Sequence, residues 1–235
     1  MAVYDFEERE SLEDLKAWWA RWGTAVTIAA VIACAIAIGV QGWRWYTAKQ
    51  ADEAGALYGA LTAAARSNDL PKAKDTTAQL ADRFARTGYA PRGALVLAKL
   101  LFDSGDAAGA KAQLQWVIDR GDETELKEIA RYRLAEILLD EKKYDDALKV
   151  LDAKHGDPFA GLYADLRGDA LAAAGKPAEA RAAYEVALAK LDSKSQYKQY
   201  VQVKLEALGG TAPAPAAPAI VPAAAGGSGA APAKK

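Results

Sequence analysis

Cysteine and histidine are almost missing from this 235-residue chain: Cys34 and His155 are the single examples of each. One Cys cannot staple a fold, and one His far from one Cys does not make a zinc site. A soluble part without cysteine is compatible with an oxidising space. Charge excess is missing as well. With 30 Lys and Arg against 31 Asp and Glu, the net charge is −1, and no basic stripe marks a nucleic-acid footprint. There is no P-loop or Gly-rich dinucleotide turn. His155 lies in Lys154-His155-Gly156-Asp157-Pro158 with no Ser or Cys partner in the soluble part, so it reads as a turn residue and not a general base. Asp145-Asp146 and the pair Asp165 and Asp169 read as solvated helix faces and not as metal ligands. The expectation is a non-enzymatic protein with no cofactor, no metal, no small-molecule substrate and no nucleic-acid partner. β-Branched residues are sparse after the first 45 positions. Ala, Leu, Lys, Glu and Arg dominate there, the mixture that loses least entropy in a helix.

One long apolar run is present. Gly23 to Trp43 gives 21 residues without a charge. At roughly 1.5 Å per residue a helix over them is about 31 Å long, enough for a bilayer core. Trp18, Trp19 and Trp22 stand at one end, and Trp43, Trp45 and Tyr46 at the other. Arg21 and Arg44 bracket the run. Aromatic belts at both ends are the mark of a membrane span. A cleaved signal peptide would have a basic start and a shorter apolar run. Here the start is acidic, from Asp5 to Asp14. Val31-Ile32-Ala33-Cys34 superficially fits a lipidation site, but the apolar run continues well past Cys34. The span is therefore expected to stay attached to the lipid bilayer. Arg9, Lys16 and Arg21 before it, against Arg44 and Lys49 after it, give a slight bias for a cytoplasmic N-terminus.

After Lys49 the pattern changes to amphipathic helices separated by short turns. Three segments align. They run through Ala98, Gly105, Ala110 and Leu114; through Ala135, Leu138, Tyr144, Ala147 and Leu151; and through Gly168, Leu171, Gly175, Ala180 and Tyr184. Ala110, Ala147 and Ala180 are 37 and 33 residues apart, close to the period of about 34 of a tetratricopeptide repeat. Small residues at Ala98, Ala135 and Gly168 let the two helices of a repeat approach. Gly105 and Gly175 suit a turn with positive φ. Asp52 to Arg86 reads as two further helices, a degenerate repeat or an N-terminal cap, and Ser193 to Leu208 as a terminal helix. From Gly209 onward the Ala, Pro and Gly content predicts a disordered tail. The expected fold class is all-α: one N-terminal transmembrane helix plus a tetratricopeptide-like α-solenoid. Its parts are a segment over 1–22, a span over 23–45, a repeat domain over 46–208 and a tail over 209–235.

A helical-repeat domain offers a concave surface to peptides or proteins. First-helix side chains line it: Arg92, Leu95, Lys99 and Phe102, then Ile129, Tyr132, Glu136 and Leu139, then Leu162, Asp165 and Asp169. The lining is basic early and acidic late. It lacks the Lys, Asn and Arg arrangement that would clamp a terminal carboxylate.

The layout resembles the ancillary SecYEG translocon subunit family (YfgM-like proteins) over about residues 1–208. The resemblance is carried by Tyr4 and the acidic stretch through Glu8, Leu15-Lys16, Trp18-Trp19, Gly23, Gly42-Trp43-Arg44, Gly88-Tyr89-Ala90 with Ala94, and Ala164 through Leu171. The tail departs from the family pattern. The resemblance implies a single-pass inner-membrane protein with a cytoplasmic N-terminus and a periplasmic repeat domain. It implies association with the SecYEG translocon and with a membrane-anchored periplasmic peptidyl-prolyl isomerase chaperone, in the handover of exported proteins. The competing expectations are a repeat scaffold for another envelope assembly machine and a regulatory membrane protein that signals through its cytoplasmic segment.

Overall fold

A computed structural model describes residues 4–209, with side chains from Leu15 onward. The expected tail over 210–235 lies outside the described residues. Nine helices occur among the described residues: α1 (Tyr4–Arg66), α2 (Leu70–Arg83), α3 (Tyr89–Asp103), α4 (Ala107–Arg120), α5 (Thr124–Asp140), α6 (Tyr144–Leu151), α7 (Asp157–Ala173), α8 (Pro177–Lys190) and α9 (Tyr197–Ala207). They form two compact units, Met1–Leu134 and Ala135–Lys235, with the boundary inside α5.

The first unit begins with a single helix of 63 residues, roughly 95 Å long at 1.5 Å per residue. No proline interrupts it, and no turn separates the apolar run from the amphipathic stretch beyond Lys49. The run itself is exposed: Ile28, Val31, Ile36 and Ile38 have more than half their surface accessible. That is the state expected of a helix whose solvent is lipid. Thr27 donates its hydroxyl to the Gly23 carbonyl at 2.7 Å, which satisfies the group inside the apolar segment. Past Lys49 the same helix becomes one-sided. Ala54, Leu61 and Ala64 are fully or almost fully buried, and α1 packs against α2 and α3.

The helix pairs share one turn geometry. Asn68, Gly105, Lys142 and Gly175 all have positive φ, at 55, 87, 61 and 75°. In each copy the next residue's N–H reaches back to a carbonyl of the preceding helix: Asp69 to Ala64, Asp106 to Leu101, Lys143 to Leu138 and Lys176 to Leu171, at 2.8 to 2.9 Å. This is the helix-ending bond pattern that glycine makes easiest. Five residues after each left-handed position stands an alanine with 0 % exposure: Ala73, Ala110, Ala147 and Ala180. The region Asp52 to Arg86, left open between degenerate repeat and cap, is thus a helix pair with the same turn as the others. Asp69 and Asp106 cap α2 and α4 by accepting from the N–H of Lys72 and Gly109.

In the second unit α7 and α8 pack closely at Gly168. A Cβ built there would lie 2.4 Å from the ring of Tyr184. Tyr184 and Leu188 of α8 form a core with Val201 and Leu205 of α9. The terminal helix expected over Ser193–Leu208 is observed as Tyr197–Ala207.

Candidate partner-binding cleft

In the first unit, α1, α3 and the first part of α5 enclose a cleft of about 350 Å³. Its apolar floor comes from Leu95, Val96 and Leu100, with Tyr58 from α1. Arg92, Lys99 and Arg133 stand at its edge. Of the residues expected from sequence, Arg92, Leu95 and Lys99 line it. Phe102 projects from the same helix with 40 % exposure. Ile129 and Tyr132 lie half-buried on α5.

The cleft's charges are not equivalent. Arg92 makes a forked pair with Glu123, at 2.6 and 2.7 Å, and also donates to the Gly88 carbonyl. The hydrogen bond to Glu123 is the main reason its pKa is raised, so this guanidinium is committed to holding the start of α3 to the segment before α5. Lys99 pairs with Asp103 one turn along, both well exposed, an arrangement that contributes little to stability. Arg133 has no ion-pair partner among the described residues. It is the cationic group of the cleft left to meet a ligand.

Tyr58 and Arg133 were not among the expected residues, although their positions are legible. Tyr58, Leu95 and Tyr132 are separated by 37 residues each, the same spacing as Val96 and Arg133. Reading Asp52 to Arg86 as a full repeat would have placed Tyr58 in the lining.

The second unit corrects one assignment. Asp165, expected to face a partner, is 1 % exposed. Both its oxygens accept from Lys204 at 3.0 Å, and it also accepts from the Tyr197 hydroxyl. Lys204 bonds Asp169 at 2.7 Å as well, and Asp169 accepts from Tyr184 at 2.7 Å. The ammonium further lies 4.7 Å from the Tyr200 ring centre, within cation–π range. Asp165 therefore fastens α9 to α7 and offers nothing to a ligand. Burial pushes its carboxyl up despite the bonds from Tyr197 and Lys204. Burial alone would lower Lys204, but its bonds to Asp169 and Asp165 leave it raised. Asp169 is partly exposed, Glu136 is exposed, and Leu139 and Leu162 are half-buried. His155 packs its ring 4.6 Å from that of Tyr163. No cluster of metal-ligating side chains occurs among the described residues.

Comparison with known proteins places this architecture. The tetratricopeptide repeat-like domain family matches residues 16–210. The ancillary SecYEG translocon subunit of Escherichia coli K12 is 30 % identical over 88 % of this chain and 99 % of its own length. The protein of the same name from Neisseria gonorrhoeae is 30 % identical over 86 % of this chain and 97 % of its own. Among solved structures, MamA 41-end from Desulfovibrio magneticus RS-1 aligns with a TM-score of 0.49 and 20 % identity, over 67 % of this chain and 90 % of that one. An all-α protein with one long apolar N-terminal helix and tetratricopeptide-like helix pairs, this chain belongs to the ancillary SecYEG translocon subunit family.

Proposed function

We propose that this protein is a membrane-anchored, non-enzymatic adaptor at the SecYEG translocon. On this reading α1 crosses the inner membrane once with its N-terminus in the cytoplasm, and the helix pairs lie in the periplasm. They hold segments of exported proteins briefly and pass them to a membrane-anchored chaperone of the peptidyl-prolyl isomerase type. The name shared by the relatives supports the translocon. The observation that carries the adaptor reading is the cleft beside Tyr58, Leu95 and Val96, with Arg133 at its edge. An apolar floor with aromatic and Arg groups is the composition of an interface anchor. Anchoring in the bilayer raises the effective concentration near a membrane-bound partner, so a weak cleft suffices.

Photo-crosslinkers at Tyr58, Val96 and Phe102 in intact membranes, read by mass spectrometry, test this. Adducts with translocon subunits and with exported chains are expected. Adducts confined to another envelope assembly overturn the reading. Protease added to spheroplasts should digest the region after Lys49, and protection of that region overturns the topology.

A further inference from the structure

The charges around the cleft of the first unit decide what fills it. Its lining holds three cations, Arg92, Lys99 and Arg133, against one acid, Asp103. Lys99 takes Asp103 at 2.8 Å. Arg92 takes Glu123 with both terminal nitrogens, at 2.6 and 2.7 Å. Each of these two cations is thereby matched by one carboxylate. Arg133 is half-buried, and its side chain has neither an ion pair nor a hydrogen bond among the described residues. A guanidinium beside an apolar floor is a fork of N–H donors with no acceptor of its own. The group that fits a planar fork and cancels its charge is a carboxylate.

The place of Arg133 sets where that carboxylate must stand. Tyr58 and Leu95 are 37 residues apart, as are Val96 and Arg133, so these side chains hold equivalent positions on α1, α3 and α5. Across the cleft they run in the order ring, aliphatic floor, guanidinium. The floor of Leu95, Val96 and Leu100 beside Tyr58 takes an apolar side chain. Packed helix axes lie about 8–10 Å apart, and alternate side chains of an extended strand stand about 7 Å apart on one face. An apolar side chain over α3 therefore brings an acid two residues away within reach of the long Arg133 side chain. Asp103, at the end of α3, repels an acid placed there instead. The lining contains no Asn, so it has no clamp for a chain terminus, and the carboxylate belongs to a side chain.

We infer that the cleft takes an extended segment of an exported protein in which a large apolar residue stands two positions from Asp or Glu. The apolar side chain lies on Leu95 and Val96, and the carboxylate is forked on Arg133. This rests on the adaptor reading and adds which segments are held.

The test uses the full chain in phosphatidylcholine nanodiscs, with empty nanodiscs as the blank. The probe is acetyl-Ala-Glu-Ala-Phe-Ala-Glu-Ala-amide with its ring fluorinated at the para position. It is compared with the same peptide carrying Gln or Lys in place of both Glu residues. An acid on each side makes the order of the two groups immaterial, and broadening of the fluorine signal reports binding. The Glu peptide should bind about three- to tenfold tighter than the Gln peptide, the range of one partly exposed, charge-assisted pair. The Lys peptide should bind most weakly. Added salt should narrow the gap, because it screens an accessible pair. Arg133→Gln should bring the Glu peptide down to the Gln peptide, whose own affinity stays and shows that the variant is folded. Arg133→Lys should keep part of the preference, as charge without the fork. Tyr58→Ala should weaken the Glu and Gln peptides together. Equal binding of these two by the parent, or a preference that survives Arg133→Gln, overturns the inference. The adaptor reading then still stands if Tyr58→Ala weakens both. If no peptide responds to Tyr58→Ala, the cleft holds no segment and both readings fall. Weaker binding as the protein concentration rises assigns the cleft to a second copy of the chain and also overturns the inference.

Discussion

Gly168→Ala should destabilise the second unit although it places a better helix former inside α7. A methyl group there would lie 2.4 Å from Cε1 and 2.5 Å from Cδ1 of Tyr184, far inside van der Waals contact. The ring cannot step aside cheaply. Tyr184 is 3 % exposed, it belongs to the core that receives α9, and its hydroxyl is bonded to Asp169. Moving it also disturbs Lys204, which bonds the same aspartate. Overpacking of this kind costs about 1–3 kcal/mol, against a gain near 1 kcal/mol from replacing glycine in a helix. The net loss is up to about 2 kcal/mol, a fall of up to roughly 8 °C in Tm for a chain of this size. Gly59→Ala in α1 is the matched control. Nothing lies within 4 Å of a Cβ there, so the helix gain stands alone and Tm should rise slightly. Thermal unfolding by circular dichroism on the full chain in detergent measures both, and amide exchange in α7 and α8 locates the change. If Gly168→Ala melts at or above the parent temperature with exchange unaltered, the close approach of α7 and α8 is refuted.

Lys142→Gly should raise stability by about 0.5–1 kcal/mol, because Lys142 holds φ 61° where two equivalent turns use Gly105 and Gly175. Chemical denaturation against the parent measures this, and a lower midpoint would show that the lysine is not strained. Lys204→Met should lower stability by about 3 kcal/mol or more by leaving Asp165 buried without its cation. Because the folded pKa of Lys204 is raised above 10.5, its contribution is complete below about pH 10.5 and fades as pH rises through the folded value. The alkaline limb of the parent's Tm–pH curve should therefore be steeper than that of Lys204→Met, and parallel limbs would contradict the ion-pair role.

The parts of the fold legible in sequence are those fixed by rules acting within one turn of chain. Ala110, Ala147 and Ala180 declared the repeat, and each has 0 % exposure. Gly105 and Gly175 declared the turns and have the expected φ. The first repeat was obscure because its signals are chemically weak. Asn68 replaces the turn glycine, and Leu61 occupies the place that Ala98 holds one repeat later. Asn tolerates the left-handed region, so the backbone forms the same turn from a less telling residue. The misplacement of Asp165 had another origin. Acids at i and i+4 look like a solvated face, and the partner that buries them, Lys204, lies 39 residues away on another helix. No local rule reaches that far.

The continuity of α1 bears directly on how an anchored adaptor would work. If Tyr46 marks the outer membrane interface, Tyr58 lies 12 residues farther along an unbroken helix, at most about 18 Å from the headgroups. A flexible linker would let the cleft sweep a large volume and dilute it near any fixed partner. Here the helix whose exposed Ile36 and Ile38 face lipid also buries Ala54 and Leu61 against α2 and α3. The cleft is thereby held at a set height and a set rotation relative to the span. A chain emerging from a neighbouring channel would meet it within the first few nanometres of its exit, before it has length enough to fold. Cutting that coupling, for example with a Gly-Gly-Pro insertion after Lys49, would keep the anchor and the cleft but lose their fixed relation. Crosslinks from Tyr58 should then spread over more partners and weaken for each. If the inserted protein crosslinks as selectively as the parent, the rigid helix contributes nothing beyond attachment.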